Sequence, residues 1–326
     1  MVSPLYIIAV GLGAAFLLGL LPEKWQRAAY GVTLLALALM GWIAGSWLWA
    51  FALQGAAPVE IFTAGTQPPF AINFRVGLAE ASLALLMALT GLHAALYMRD
   101  TLFKQGRRAM AVLLIFVMAT CGVIFTRDLF NLFVFMELVV ISTGGLVLLS
   151  ADRRALGAGL KYLIVSQLVS ILMLVGMVFA YHATGTLNID GMAAAQADLF
   201  KGGALAFFLM LMAVLAELKP FPANGWGLDI YESAHPAFAA LFSAATGAAT
   251  VYAADKLLLI GGAQWLPLAS AIGIVTFVVA NIFALVQDND RRLLGYSSVA
   301  QVGLILTVIG QRDLLGEQYY FVAGGI

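Results

Sequence analysis

Glu137, Glu217 and Lys219 stand in strongly apolar surroundings, where an ionisable side chain is costly. Glu137 lies in LFNLFVFMELVVISTGGLVLL, and the other two lie in AVLAELKPFPANGW. An ionisable group at the centre of a bilayer costs about 2.5–3.5 kcal/mol on insertion scales, so it requires a partner, water or a function. Carboxylates and ammonium groups hold and release protons, which makes proton or cation handling the candidate chemistry.

Lys219 has two interpretations at this level. A count of about 1.5 Å per residue from Gly203 puts it near the cytoplasmic end of its span, where a long side chain reaches water. Alternatively, Pro220 and Pro222 break the helix and hold the lysine at membrane depth. Glu217 is about 200° from Lys219 around a regular helix, so the two share a face only if the helix unwinds.

Four further polar residues are weaker candidates. Lys256 sits late in the eighth apolar run, close enough to its outer end for the side chain to reach water. His235 is at the entry to that run, where an access path from the cytoplasm would be needed. Glu80 is either an interfacial residue or a lateral contact. We interpret His93 as a hydrogen-bonded packing residue.

Composition assigns these residues to a membrane protein. Of the 326 residues, 63% are apolar and 10% are charged, with a mean hydropathy of +0.98. The single cysteine and the three separated histidines give no reason to expect a metal site or a redox cofactor. The chain also has no glycine-rich phosphate loop, zinc pattern, nucleophile elbow or basic nucleic-acid patch.

Apolar runs bounded by charge, glycine or proline predict an all-α, multi-pass membrane protein. The predicted spans are 4–22, 28–53, 76–98, 107–126, 129–150, 158–182, 203–220, 237–261, 264–287 and 293–311. The longer outer segments, 54–75 and 183–202, are predicted to be ordered loops. The first run is expected to be a retained span, because no basic residue precedes it and no cleavage pattern follows it.

The basic residues predict the orientation, because lysine and arginine are enriched in cytoplasmic loops. One set of alternate loops holds Lys24, Arg27, Arg99, Lys104, Arg107, Arg108, Arg153, Arg154, Lys161, Arg291 and Arg292. The other set holds only Arg75, Arg127, Lys201 and Arg312. This asymmetry places the N-terminus outside the cell membrane and leaves Lys219 and Lys256 as candidate intramembrane charges.

Four motifs resemble a known family. They are FTRDLFNLFVFMELVVISTGGLVLL, GLKYLIVSQLVSILMLVGMVFAYHATGTLNI, ELKPFPANGWGLDIYESAHPAFAALFSAAT and DNDRRLLGYSSVAQVGLIL, in this order. They resemble the antiporter-like subunits of respiratory complex I and of Mrp-type cation/proton antiporters, with particular likeness to the D-type Mrp subunit and to membrane-bound hydrogenase homologues. The likeness begins near residue 107, since the first three spans fit in hydropathy only.

The resemblance implies inverted five-helix repeats with a broken helix at span seven. It divides the chain into helices 1–3 (residues 1–106), a first repeat of helices 4–8 (107–261) and the start of a second repeat (262–326). It also pairs a glutamate on span five with a lysine on span seven, which by motif are Glu137 and Lys219. Movement of this pair would drive protons or sodium ions across, and the family pattern favours the broken-helix interpretation of Lys219.

Two departures from the family pattern are visible. Ala248 stands where a relay lysine is usual, which leaves Ser243, Thr246, Thr250 and Tyr252 as the nearby polar groups. These hydroxyls can support water but cannot hold a charge at neutral pH. An eleventh span is predicted to start near Tyr320. Either the protein stops at the membrane interface, or the remaining helices 11–14 belong to another polypeptide or were lost from this sequence.

Two functions from different classes follow. The first is an ion-translocating subunit of a larger inner-membrane complex of the Mrp, hydrogenase or complex I type, with other membrane subunits as partners. The second is a degenerate antiporter-like scaffold that docks its neighbours and conducts nothing, which Ala248 and the early end of the sequence favour. A redox enzyme in its own right is disfavoured, since the chain offers no cofactor ligands.

Overall fold

Long apolar helices form most of the structure, a computed structural model that describes residues 2–63, 65–66, 68, 70–150, 152–201 and 204–316. The long helices are α1 (Leu5–Leu20), α2 (Gln26–Gln54), α3 (Leu78–Tyr97), α5 (Arg107–Phe125), α6 (Leu129–Val147), α7 (Arg153–Thr184), α10 (Leu205–Glu217), α13 (Gly247–Gly261), α14 (Leu266–Ala284) and α15 (Asp290–Gly310). The short helices are α4 (Arg99–Gln105), α8 (Ile189–Ala194), α9 (Gln196–Lys201), α11 (Gly225–Ser233), α12 (Pro236–Leu241) and α16 (Arg312–Leu315).

Each of the ten predicted spans coincides with a helix or a continuous helical segment. In the described part of the chain, eight helical segments have the length and composition to cross a membrane, and α1 and α10 are shorter apolar helices. The eighth span consists of α12, a π-helical turn (Phe242–Thr246) and α13. The multi-pass helical fold is therefore confirmed, and the predicted start of an eleventh span at Tyr320 lies outside the described residues.

The two outer segments contain more structure than their turn-rich sequences predict. The first forms a hairpin of β1 (Val59–Phe62) and β2 (Asn73–Val76), paired antiparallel with Val59 opposite Val76. The backbone of Arg127 donates to the Asn73 carbonyl at 2.9 Å and so anchors β2 beside the α5–α6 junction. The second segment contains α8 and α9. The hairpin adds a small β element to the all-α prediction, and contacts with distant segments help to stabilise so short a pair.

The chain divides into two compact units. Residues 1–163 and 234–249 form the first unit, and residues 164–233 and 250–326 form the second. These units are defined by contacts in space, whereas the predicted boundaries at 106 and 261 describe sequence repeats. The repeat boundaries therefore stay a prediction.

Small residues let the helices of the first unit approach closely. In α1, which packs against α5, a methyl group added at Gly11 would lie 2.5 Å from the Met118 Cβ. In α3, a methyl at Gly91 would lie 2.6 Å from Val117 Cγ2. Helix association within a bilayer relies on such packing, because lipid tails are as apolar as the side chains they would replace.

In the second unit, helices α14 and α15 approach each other backbone to backbone. A methyl group added at Gly303 would lie 2.7 Å from the Phe277 backbone nitrogen and 2.8 Å from the Gly273 carbonyl oxygen. A methyl at Gly310 would lie 2.5 Å from the Ser270 backbone nitrogen. The two backbones touch at these positions, and backbone atoms cannot move aside as a flexible side chain does.

Gly303→Ala is expected to lower the thermal unfolding midpoint of the detergent-solubilised protein, because the added methyl forces α14 and α15 apart. Overpacking of this kind costs about 1–3 kcal/mol. The control is Gly31→Ala on α2, where the added methyl meets nothing within 4 Å. Its midpoint should stay equal or rise slightly, because alanine is the better helix former. Equal midpoints for the two variants would contradict the close approach.

Candidate functional site

The helix of span seven breaks at the predicted place. Helix α10 ends at Glu217, and the backbone nitrogen of Lys219 donates to the Ala216 carbonyl at 2.9 Å in a tighter turn. Among the described residues, Lys219 alone has a positive φ without being glycine, at 57°. A side chain in this left-handed region costs about 1–3 kcal/mol, and such strain is concentrated at functional positions. The predicted break in the helix is confirmed, whereas the position of Lys219 at membrane depth stays a prediction.

The break turns the Lys219 side chain back onto Glu217. Its Nζ donates to the Glu217 carbonyl oxygen at 2.7 Å and lies 3.8 Å from Glu217 Oε2. The side chains are 7% and 6% exposed, so Lys219 does not reach solvent from the described chain. A regular helix would place these residues on different faces, whereas the unwound turn places them together. We expected Glu217 and Lys219 to share a face only if the helix unwinds, and the structure shows this unwinding.

A glycine on the next helix makes room for the lysine stem. A methyl group added at Gly227 of α11 would lie 2.5 Å from Lys219 Cδ and 3.3 Å from Cγ. The residues between α10 and α11 are tied to α14 as well, since the Phe221 backbone nitrogen donates to Thr276 Oγ1 at 3.2 Å. Thr276 is fully buried. The position of Lys219 therefore depends on both α11 and α14.

An ion-pair cluster fixes α11 to α15, and no sequence motif predicted it. Arg292 lies 2.8 Å from Glu232 Oε2 and 3.4 Å from Asp229 Oδ1. The Arg291 guanidinium donates to the Glu232 carbonyl oxygen at 3.4 Å. In the sequence analysis, both arginines were used only to predict the orientation of the chain. Asp229 and Glu232 are three residues apart on one helix face, and this spacing was the available signal for an acidic partner. Because α11 carries Gly227, the cluster also supports the site.

Glu137 lies midway along α6 and is partly buried. Its helix begins with Asp128, whose side chain accepts a hydrogen bond from the Asn131 backbone nitrogen at 2.8 Å. This N-cap fixes the start of α6 and thereby the height of Glu137 along it. Glu137 belongs to the first compact unit and Lys219 to the second, so their pairing stays a prediction.

The candidate access residues lie at the start of the eighth span. His235 caps α12, because its Nδ1 accepts from the Ala237 backbone nitrogen at 3.3 Å, and its ring meets the edge of Tyr97. Ser243 and Thr246 lie in the π-helical turn. Thr246 Oγ1 is buried and has no hydrogen-bond partner among the described residues. Isolated π-turns are common at functional sites, and hydropathy could not reveal this one.

Lys256 differs from expectation. The sequence suggested that it could reach water, but it is 1% exposed, and its Nζ lies 4.9 Å from the centre of the Tyr252 ring. A cation over an aromatic face is favourable when water is excluded. The preceding Asp255 pairs with Arg312 at 3.4 Å. Thr250, six residues before Lys256, is also buried.

The remaining polar candidates have local structural partners. Glu80 Oε2 accepts from the Gly77 backbone nitrogen at 2.8 Å and caps α3. His93 Nδ1 lies 2.7 Å from the Leu89 carbonyl oxygen, which satisfies one side of its ring. Across the described residues, no group of three or more His, Cys, Asp or Glu side chains could hold a metal ion.

The fold and these buried charges define a multi-pass membrane protein with an ionisable pair at a broken helix. Residues 126–322 match the family described as NADH:quinone oxidoreductase/Mrp antiporter, transmembrane. The match covers more than half of the chain, which therefore belongs to this family of antiporter-like membrane subunits. The family resemblance of the four motifs is confirmed.

Relatives and solved structures agree with this assignment. The chain is 32% identical over 317 residues to NADH-quinone oxidoreductase subunit N of Rubrobacter xylanophilus, covering 90% of this chain and 64% of the relative. It is similar to a chain of the archaeal membrane-bound sulfane sulfur reductase, with 29% identity, a TM-score of 0.86 and coverage of 94% and 64%. A chain of the Mrp complex from Dietzia sp. shares the fold at 23% identity, with a TM-score of 0.83 and coverage of 94% and 59%. The chain thus spans somewhat less than two thirds of these proteins.

Gly227→Ala is expected to displace the Lys219 side chain, because the new methyl would occupy the space of its Cδ. The measurement is acylation of Lys219 by a membrane-permeant amine reagent, quantified by peptide mass spectrometry in the purified protein. Labelling should rise several-fold.

Gly225→Ala is the matched control on the same helix, because a methyl there meets nothing within 4 Å. It should leave Lys219 labelling at the wild-type level. Equal labelling of Lys219 in all three proteins would show that Gly227 does not shape the site.

Proposed function

We propose that the chain is an ion-translocating membrane subunit of a larger complex and that Glu137 and Lys219 form its principal charge pair. The observation that carries this proposal is the burial of Lys219 at a strained break in a membrane helix. Broken helices occur at membrane depth where protein or a water-filled cavity satisfies the loosened backbone, and they commonly form ion sites. A strained, buried cation in such a place is better explained by transport than by packing.

In the proposed Glu137–Lys219 pair, the distance between the two charges controls how strongly Lys219 holds its proton. A carboxylate beside an ammonium stabilises the charged lysine, whereas isolation in a low dielectric destabilises it. Separation of the pair therefore favours release of a proton, and closure favours its uptake. A change of conformation in a neighbouring subunit would drive transport by opening or closing the pair.

The eighth span supplies the groups for the rest of the path. His235 lies at its start, Ser243 and Thr246 occupy the π-turn, and Thr250 and Tyr252 lead towards Lys256. Ala248 stands where the family usually has a relay lysine. The hydroxyl groups would order water at that place, and Lys256 would supply the next buried charge. The transported ion is a proton or a sodium ion.

The partners are other membrane subunits of the host complex. The relatives in the comparisons are named as parts of NADH-quinone oxidoreductase, of an archaeal respiratory membrane complex and of an Mrp complex. We propose the inner membrane as the location, with the N-terminus outside.

Ala248 supports a second candidate function. Without a charge at this position, the subunit could serve as a scaffold that holds neighbouring subunits and conducts nothing. Substitution of a charged residue distinguishes the two functions. In a scaffold it would impair assembly of the complex, whereas in an ion-translocating subunit it would impair transport.

Lys219→Met and Glu137→Gln are each expected to lower proton or sodium transport by about tenfold or more, with the complex still assembled. Removing one partner of a buried pair leaves an uncompensated charge or an unsatisfied group, which costs about 3–5 kcal/mol. Transport is measured in proteoliposomes with ion-sensitive dyes, and assembly by native electrophoresis.

Lys201→Met is the matched control, because Lys201 is 76% exposed and pairs only with nearby Asp198 among the described contacts. It should transport at the wild-type rate. Wild-type transport by both Glu137→Gln and Lys219→Met would overturn the proposed function, and loss of assembly alone would favour the scaffold.

A further inference from the structure

Glu217 is a buried carboxylate that the Glu137–Lys219 mechanism does not use. Its side chain is 6% exposed and its Oε2 lies 3.8 Å from Lys219 Nζ. We propose that Glu217 is the proton acceptor and donor of Lys219, so that the helix break contains a complete two-group proton site within one segment of the chain. This inference rests on the proposed transport function and specifies the ion at this site as a proton.

The two carboxylate oxygens of Glu217 have different surroundings. Oε2 faces the lysine, whereas Oε1 is buried and accepts no hydrogen bond from any described residue. A carboxylate oxygen without a donor is costly in a low-dielectric interior. A proton or a water molecule at Oε1 removes that cost. The geometry thus gives the carboxyl group one oxygen for exchange with Lys219 and another for exchange with water.

The transfer is a proton shift that requires Lys219 Nζ and Glu217 Oε2, 3.8 Å apart, to close to hydrogen-bond distance or to be bridged by one water molecule. The Lys219 Nζ–H bond breaks, an O–H bond forms on Glu217 Oε2, and the ammonium–carboxylate pair becomes an amine and a carboxylic acid. No electrons are transferred and no co-reactant is needed. The carboxyl group then rotates about its Cγ–Cδ bond, so that the protonated oxygen takes the place of Oε1 and passes its proton to water. A proton arriving at the Lys219 amine restores the ammonium–carboxylate pair.

The chemistry of the two groups favours a proton over sodium at this site. An ammonium group has three donors and no acceptor, so Lys219 cannot coordinate a metal cation. Hard cations require several oxygen ligands, whereas the ammonium group of Lys219 fills the space beside Glu217 Oε2. A proton needs only one lone pair, which Glu217 supplies.

The pair exists only while the helix is unwound at Leu218 and Lys219. A regular helix through these residues would rotate Glu217 about 200° away from Lys219. The left-handed φ of Lys219 and the space left by Gly227 bring Nζ back to the preceding turn. Any movement of α11 that lengthens the Lys219–Glu217 distance would therefore interrupt proton exchange.

The test compares Glu217→Gln, Glu217→Asp and Glu23→Gln in the assembled complex, with Glu23 as an exposed control. Proton translocation is followed with a pH-sensitive dye in proteoliposomes under the complex's own driving reaction. We expect Glu217→Gln to lose at least about tenfold in rate, Glu217→Asp to retain an intermediate rate, and Glu23→Gln to equal wild type. Infrared difference spectra of the driven complex should show a carboxylic acid band that Glu217→Gln lacks.

Two results would overturn the inference. The first is a wild-type translocation rate for Glu217→Gln while Lys219→Met is inactive, which would leave the proposed function intact. The second is an unchanged carboxylic acid band in Glu217→Gln. If Glu217→Gln fails to assemble, the Glu217→Asp variant provides the test. An assembled Glu217→Asp complex with the wild-type translocation rate and an unshifted carboxylic acid band would contradict the proposal. A wild-type rate for Lys219→Met would instead refute the proposed function.

Discussion

An ammonium group removed from water must be stabilised by nearby acceptors, and this requirement explains the local structure around Lys219. The Glu217 carbonyl and carboxylate meet it from the preceding turn. They can do so only because α10 stops there and the backbone enters a left-handed conformation. The backbone strain is a cost that favourable electrostatics offsets. The burial of Lys219, the break in its helix and its pairing with Glu217 therefore depend on one another.

The neighbouring helices hold this arrangement in place. Helix α11 contributes Gly227, whose missing side chain leaves the volume for the lysine stem. Arg292 links α11 to α15 through Asp229 and Glu232, and α15 packs backbone to backbone on α14. Since α14 also binds the Phe221 backbone through Thr276, the α14–α15 pair is connected to the chain on both sides of α11's first residues, at Phe221 directly and at α11 through Arg292.

The helices were predictable from hydropathy, because a spanning segment must be long and apolar, and the two prolines after Lys219 predicted the break. The charge pair within the break was not predictable from the sequence, because helical periodicity assumes a regular helix, in which Glu217 and Lys219 lie on different faces. The π-turn, the space beside Gly227 and the Arg292 cluster also depend on non-local contacts, which one sequence does not display. For Lys256 the distance to the helix end was misleading, because the Tyr252 ring and the surrounding helices bury its charge.

The central claim is that Glu217 and Lys219 act as one proton-handling unit. A double-mutant cycle on proton translocation, with Glu217→Gln, Lys219→Met and both together, tests it directly. Groups that act as a unit are non-additive, with coupling energies of about 0.5–3 kcal/mol. The double variant should be no slower than the slower single variant. Defects that multiply in the double variant would show independent roles and contradict it.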